Sequence, residues 1–292
     1  MTGLPSPQQL RYLLALAEAG HFGRAAEACG VTQSTLSAGL LALERQLDAA
    51  LLDRGVGKHV AFTALGEETV VRARTALAAL EAVAEGVEAS RGPMSGPLRL
   101  GVIPTVGPFL LPRVMPVLRG AFPNLRLFVR EDVTPALVER VVGNRLDLVL
   151  VALPCPGVET IAVLRDEFLV VLPRGHRLAA RARVPAGALA VERMLLMEDG
   201  HCLRDQALAF WGADTEGFAA TSLHTLVQMV AGGLGIALVP RMAVDAGLAA
   251  GVDVEVRPLG GGTGAWRTIG LGWREGSGRA GEFRVLAGLM GE

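Results

Sequence analysis

At 292 residues, with 51% hydrophobic and 20% charged residues, the chain is long enough for two or three domains and too apolar for disorder. A formal net charge of −1 predicts no strong nonspecific attraction to nucleic acid, and apart from Lys58 every one of its Lys/Arg cations is an arginine. A mean hydropathy of +0.40 raises the question of a membrane span. The longest stretch without a charged residue, 217–240, holds Ser222, His224, Gln228 and four glycines, and contains no apolar run of spanning length. No signal-type apolar segment follows the early Arg11, so a cytoplasmic location with no membrane partner is expected. Three cysteines, Cys29, Cys155 and Cys202, form no CxxC pair. That pattern disfavours a disulfide framework and a structural zinc site, and neither a metal nor a cofactor is expected.

The first ninety or so residues read as successive helices. Ser6-Pro7-Gln8-Gln9 is a helix start with a serine cap, proline at the first position and glutamine at the third. Leu10, Leu13, Leu14 and Ala17 follow at helical spacing, and Gly20 stops the helix. A short alanine-rich helix over 22–29 comes next, then a turn at Gly30-Val31. Thr32 caps a third helix whose Leu36, Leu40, Leu43 and Leu47 make a core stripe. Two helices joined by a short glycine turn form a helix-turn-helix, with Gln33, Ser34 and Ser37 outward at the start of the recognition helix. Glutamine can read adenine and serine can meet base or phosphate. A small β wing over 53–63 carries Arg54, Lys58 and His59 for backbone contacts. Residues 1–65 hold five Lys/Arg and five Asp/Glu, so charge alone does not mark this region as DNA-binding. Between 64 and 89 lies a long helix, about 39 Å at 1.5 Å per residue. Its Val70, Ala73, Leu77, Leu80, Ala84 and Val87 form a heptad seam that calls for a partner helix, hence a homodimer.

Arg91-Gly92-Pro93-Met94-Ser95-Gly96-Pro97 is the clearest boundary. Beyond it, strands are expected over 98–103, 126–131, 146–152, 168–172, 194–197, 236–239 and 268–273, with helices over 108–121 and 134–142. This alternation predicts parallel sheets covered on both faces, arranged as two lobes with a ligand crevice at strand ends. Domains are expected at 1–63 (winged helix-turn-helix), 64–92 (linker and dimerisation helix) and 93–292 (effector).

The run FGRAAEACGVTQSTLSAGLLALERQLDAALLDRG, followed by FTALGE, closely resembles the N-terminal domain of LysR-type transcriptional regulators. The resemblance implies an α+β multidomain fold: a winged helix-turn-helix, a linker helix and a two-lobed α/β effector domain of periplasmic-binding-protein type. It also implies double-stranded operator DNA as partner, a homodimer or homotetramer, and an activator that meets RNA polymerase rather than an enzyme. Within the effector domain, LRLGVIPTVGPFLLPRVMPVL, MEDGHCLRDQALAFW, ATSLHTLVQMVAGGLGIALVP and WRTIGL resemble the OxyR peroxide-sensing branch. By matching positions, Cys202 is implied as the thiol that hydrogen peroxide oxidises, with Thr105, Thr134, His201, Asp205 and Arg267 as pocket residues.

Elementary chemistry supports that assignment. The thiolate is the reactive form, and a helix start at Cys202 or a cation such as Arg204 or His201 would favour it, whereas Asp205 opposes it. Hydroxyls of Thr105 and Thr134 can donate and accept, as peroxide does; as plain structural residues they would cap their own helices. Cys29 and Cys155 read as inert small hydrophobes. The sequence departs from the branch at Trp211, where better-known members carry a second cysteine that closes a disulfide. Three outcomes then remain for oxidised Cys202: a sulfenic acid that is itself the signal, a cap by a small thiol, or resolution by Cys155. The first is expected, since Cys155 lies in a separate segment. Two other readings keep weight: a LysR-type regulator binding a small metabolite between the lobes, and a thiol-dependent enzyme using His201 as base.

Overall fold

The computed structural model describes residues 3–53, 60–89, 94–211, 219–260 and 266–291. The chain divides into two units, Met1–Val87 and Glu88–Glu292.

In the first unit, α1 (Pro7–Ala19) starts with the expected capping box between Ser6 and Gln9 and ends at Gly20, whose φ of 60° is left-handed. The short α2 (Phe22–Ala28) is capped by the His21 side chain. Thr32 caps α3 (Gln33–Leu47), which buries Leu36, Leu40 and Leu43 against Leu10, Leu13 and Leu16 of α1. Gly39 allows the close approach of α1 and α3, because a Cβ there would lie 2.6 Å from the Tyr12 ring. The wing is an antiparallel pair, β1 (Leu52–Asp53) and β2 (Ala61–Phe62). Its tip, with Arg54, Lys58 and His59, falls outside the described residues.

The long helix is α4 (Ala64–Ala89). Its expected seam divides. Val70, Ala73 and Leu77 are buried in the core of their own unit, while Leu80 is 50% exposed. The first half of the seam therefore closes the winged-helix core instead of waiting for a partner. Beside the second half runs an apolar groove lined by Leu4, Leu47, Leu65, Ala76, Leu80 and Val83.

The second unit follows with β3 (Gly96–Val102), α5 (Gly107–Ala121), β4 (Leu125–Glu131), α6 (Thr134–Val142), β5 (Leu148–Leu153) and β6 (Glu159–Pro173). After these come β7 (Val184–Pro185), α7 (Ala186–Leu189), β8 (Leu196–Met197), α8 (Cys202–Trp211), β9 (Ala219–Ala220) and α9 (Leu223–Ala231). The unit ends with β10 (Ala237–Pro240), α10 (Arg241–Asp245), β11 (Val254–Gly260), β12 (Trp266–Trp273) and α11 (Ala280–Met290).

The sheet is mixed, not parallel as the alternation of elements suggested. Strand order is β4-β3-β5-β12-β6-β11-β7, with β10 also on β6. Only the pairs β3–β4, β3–β5, β7–β11 and β8–β9 are parallel among the named strands. The cause is β6, which at 15 residues is three times its expected length and runs through both halves of the unit. Its first part pairs antiparallel with β12 and its last part with β10 and β11. Thus both halves share one strand, and residues where its partners change are fixed relative to both. No described helix is long and apolar enough to cross a membrane.

Candidate functional site

At the start of α3, Thr32 accepts from the Thr35 backbone N–H at 3.2 Å and its hydroxyl lies 2.9 Å from that of Ser34. The cap sets the first turn, and the buried leucines set its rotation, so Gln33, Ser34 and Ser37 are all exposed. One residue missed by sequence reasoning is Glu44. It is buried, and its carboxylate accepts from the backbone N–H groups of Leu51 and Leu52 at 2.8 and 3.0 Å, tying α3 to the wing.

In the second unit, Asp166 on β6 and Arg267 on β12 are directly opposite each other in the antiparallel ladder. Their side chains are 2% and 0% exposed and meet at 2.9 Å. Arg267 Nη1 and Nη2 donate to the Thr105 hydroxyl and carbonyl, both at 2.9 Å. Asp166 accepts a further bond from the Met242 N–H at 3.0 Å, where α10 begins. Every strong donor and acceptor of this buried pair thus has a partner, the condition under which two ions are tolerated in a core. Thr105 is no helix cap; Val106 occupies that position for α5.

Close to this network lies Cys202, the first residue of α8, as the turn at Asp199-Gly200 predicts. Gly200 has a φ of 86°, which a residue with a side chain adopts at a cost. A cavity of about 600 Å³ opens on the sulfur, lined also by Thr134, Val138, Ala152, Cys155 and Asp205. Thr134 is the first residue of α6 and does not cap it, since Val133 does. The Thr134 hydroxyl is buried with no hydrogen-bond partner: it faces the thiol without full bonding geometry.

Burial pushes the Cys202 thiol above its ordinary pKa, while Arg267, the Thr134 hydroxyl and the Leu203 N–H pull it down and Asp205 adds to the rise. The expectation of a thiolate favoured by its helix start is therefore corrected: desolvation outweighs the helix terminus and the cation. The cation is Arg267 and not Arg204, which turns to Asp199 at 2.8 Å and to the Met197 carbonyl at 3.2 Å. His201 is buried, and burial lowers its pKa against the opposing charge of Glu198.

The six effector-domain residues expected at the site separate into layers. Cys202, Thr134 and Asp205 line the cavity, whereas Thr105, Arg267 and His201 are buried and not among its lining residues. One neighbour was not foreseen and one was expected elsewhere. Asp166 anchors Arg267; its signal was a charged triplet, Arg165-Asp166-Glu167, running into a buried strand. Cys155 is buried in the cavity wall with Cys202, which corrects its expected separation from that thiol. Burial raises the Cys155 pKa, and the neighbouring Cys202 raises it further.

Comparison with known proteins decides the family. Residues 7–67 match the bacterial regulatory helix-turn-helix of the lysR family, and residues 91–292 match the LysR substrate binding domain. The chain belongs to the LysR family of transcriptional regulators. It is 41% identical to the DNA-binding transcriptional dual regulator OxyR of Escherichia coli K12, covering 96% of this chain and 93% of that protein. Identity to a hydrogen peroxide-inducible genes activator of Dickeya chrysanthemi is 40%, over 98% and 94% of the two chains. Among solved structures, full-length OxyR from Pseudomonas aeruginosa superposes with a TM-score of 0.78 at 33% identity, covering 99% of this chain and 98% of that one. A peroxide-bound OxyR mutant from Corynebacterium glutamicum gives 0.66 at 32% identity, over 99% and 94%. The LysR-type architecture expected from sequence, a helix-turn-helix followed by an α/β effector domain, is thereby shown.

Proposed function

We propose that this OxyR-like regulator is a cytoplasmic transcriptional activator that senses hydrogen peroxide through Cys202. The observation that carries the reading is the cavity in which the Cys202 thiol meets the buried Thr134 hydroxyl, which has no fully formed hydrogen bond among the described residues. Such a hydroxyl is costly to leave unbonded, by about 1–3 kcal/mol, unless a polar ligand completes it. Peroxide, which donates and accepts, is a fitting ligand. The relatives' names point the same way.

In this mechanism the Cys202 sulfur attacks one peroxide oxygen, an S–O bond forms, the O–O bond breaks, and hydroxide leaves as water after gaining the thiol proton. The product is a sulfenic acid. Arg267 favours the thiolate that attacks, Thr105 and Asp166 hold Arg267, and Thr134 and Asp205 orient peroxide. His201, neutral and buried, positions the start of α8. Gln33, Ser34 and Ser37 read operator bases, Arg54, Lys58 and His59 hold its backbone, and α4 pairs two chains into a homodimer or a tetramer of such pairs. RNA polymerase is the partner of the activated form.

The test is stoichiometric peroxide on the reduced protein, followed by peptide masses and reporter induction. Oxidation that begins at Cys202, with induction lost in Cys202→Ser while operator binding persists, is expected. Normal induction in Cys202→Ser sinks the proposal. A cavity of about 600 Å³ also falls in the range of small-metabolite sites. A metabolite effector is therefore the second reading, and it is favoured if peroxide leaves Cys202 untouched.

A further inference from the structure

We propose that Cys155 is the resolving thiol of this regulator: peroxide-oxidised Cys202 closes an intramolecular disulfide with it. The inference rests on the reading of Cys202 as the peroxide-reactive thiol. Trp211 offers no sulfur, and Cys29 belongs to the other unit. Cys155 and Cys202, by contrast, line one cavity of about 600 Å³ with Ala152, Pro154, Thr134 and Asp205 around them.

Local structure prepares both partners. Cys155 sits between Pro154, whose own φ is fixed, and Pro156, whose ring restricts the Cys155 backbone to extended conformations. The thiol is thereby carried on a stiff wall just beyond β5. Cys202 begins α8 after the glycine turn at Gly200, which also lines the cavity. A disulfide needs a span of about 4.4–6.8 Å between Cα atoms, which the two cavity walls must reach once Cys202 is oxidised.

The chemistry balances without a further reactant. Peroxide converts the Cys202 thiol to sulfenic acid with release of one water. The Cys155 sulfur then attacks the Cys202 sulfur, the S–S bond forms, the S–O bond breaks, and the oxygen leaves as a second water with the Cys155 proton. Overall, two thiols lose two hydrogens and two electrons to one peroxide. Burial raises the pKa of both thiols, but at Cys202 Arg267 and the Thr134 hydroxyl oppose the rise whereas at Cys155 the neighbouring sulfur adds to it, so peroxide reacts first at Cys202. Closure would draw the start of α8 toward the segment that leads into β6, the strand shared by both halves of the unit.

The experiment counts thiols in the full-length reduced protein before and after one equivalent of peroxide, with a non-reducing peptide map. The expected result is a fall from three thiols to one, and a single linked peptide joining Cys155 and Cys202 within one chain. In Cys155→Ser, Cys202 instead retains oxygen and reacts with a 1,3-dicarbonyl sulfenate probe. A fall from three thiols to two in the unmutated protein, with oxygen on Cys202 and Cys155 free, overturns the proposal, as does a link to Cys29 or to a second chain. If all three thiols survive, the peroxide reading of Cys202 fails, and this inference goes with it.

Discussion

In the N-terminal unit the residues proposed to meet DNA are neighbours in sequence and exposed: Gln33, Ser34 and Ser37 lie in the first turns of α3, held there by one cap and a stripe of leucines. In the C-terminal unit Thr105, Asp166 and Arg267 near Cys202 are buried and remote in sequence, with hydrogen bonds that span 101 residues from Asp166 to Arg267 and 162 from Thr105. The difference follows from what each site must do. Polar groups at a fixed helical phase in water need only local order, whereas setting a cation beside a half-buried sulfur needs a charge brought into the core. The second arrangement binds function to stability; the first leaves them separable.

The largest effect should come from cutting that bond between function and stability. Arg267→Ala leaves Asp166, 2% exposed, as an uncompensated buried charge. A loss of about 3–5 kcal/mol is expected, read by urea unfolding of the second unit, together with slower oxidation of Cys202. Trp211, Trp266 and Trp273 all lie in the second unit and the sole tyrosine, Tyr12, in the first, so tryptophan fluorescence follows the right half. The double change Arg267→Met, Asp166→Leu should recover most of the stability but not the oxidation rate. Equal loss in single and double variants would show that the pair is not the anchor.

Gln33→Ala sharpens the other side of the comparison. Because the side chain is exposed and outside the leucine stripe, unfolding should shift by no more than about 0.5 kcal/mol. Operator affinity should fall by about 1–3 kcal/mol, with relaxed preference at one base pair. A drop in both stability and affinity would mean that α3 depends on this residue for its fold.

Thr134→Val separates the two roles within the buried site. The variant replaces the buried hydroxyl by a methyl of similar size, so stability should change by no more than about 1 kcal/mol. Cys202 loses one of the groups that favour its thiolate, so oxidation by peroxide should slow at a given pH. A more strongly destabilised variant would show that the hydroxyl is bonded in solution to something other than peroxide.

Legibility in the sequence tracks the same divide. The Ser6–Gln9 box, the Gly20 stop, the Thr32 cap and the leucine phase of α3 are local, and each appears where the residues place it. Strand β6 was recognisable only over its apolar end, 168–172. Its first part carries Glu159, Arg165, Asp166 and Glu167, charges that mask a strand until their partners on β12, α10 and α11 are known. The α4 seam showed an apolar stripe but not whose core it serves. Cys202 was found by motif. Asp166 was not, because its partner Arg267 lies far off in sequence, and Cys155 was named only as one of three outcomes because nothing local places it near Cys202.

The smallest expected effect, a pH dependence of stability, belongs to His201. Burial lowers its pKa in the folded state below the ordinary value of about 6.5 that it has when unfolded. Between those two pKa values the unfolded chain binds the extra proton, so stability rises with pH in that window. The contribution is fully present above about pH 6.5 and is lost as pH falls through the lowered folded-state value. His201→Gln should flatten this part of the unfolding profile followed by tryptophan fluorescence, leaving the profile reported by Tyr12 unchanged. An unaltered slope would place the acid sensitivity of the second unit on other groups, and would leave His201 as a packing residue at the start of α8.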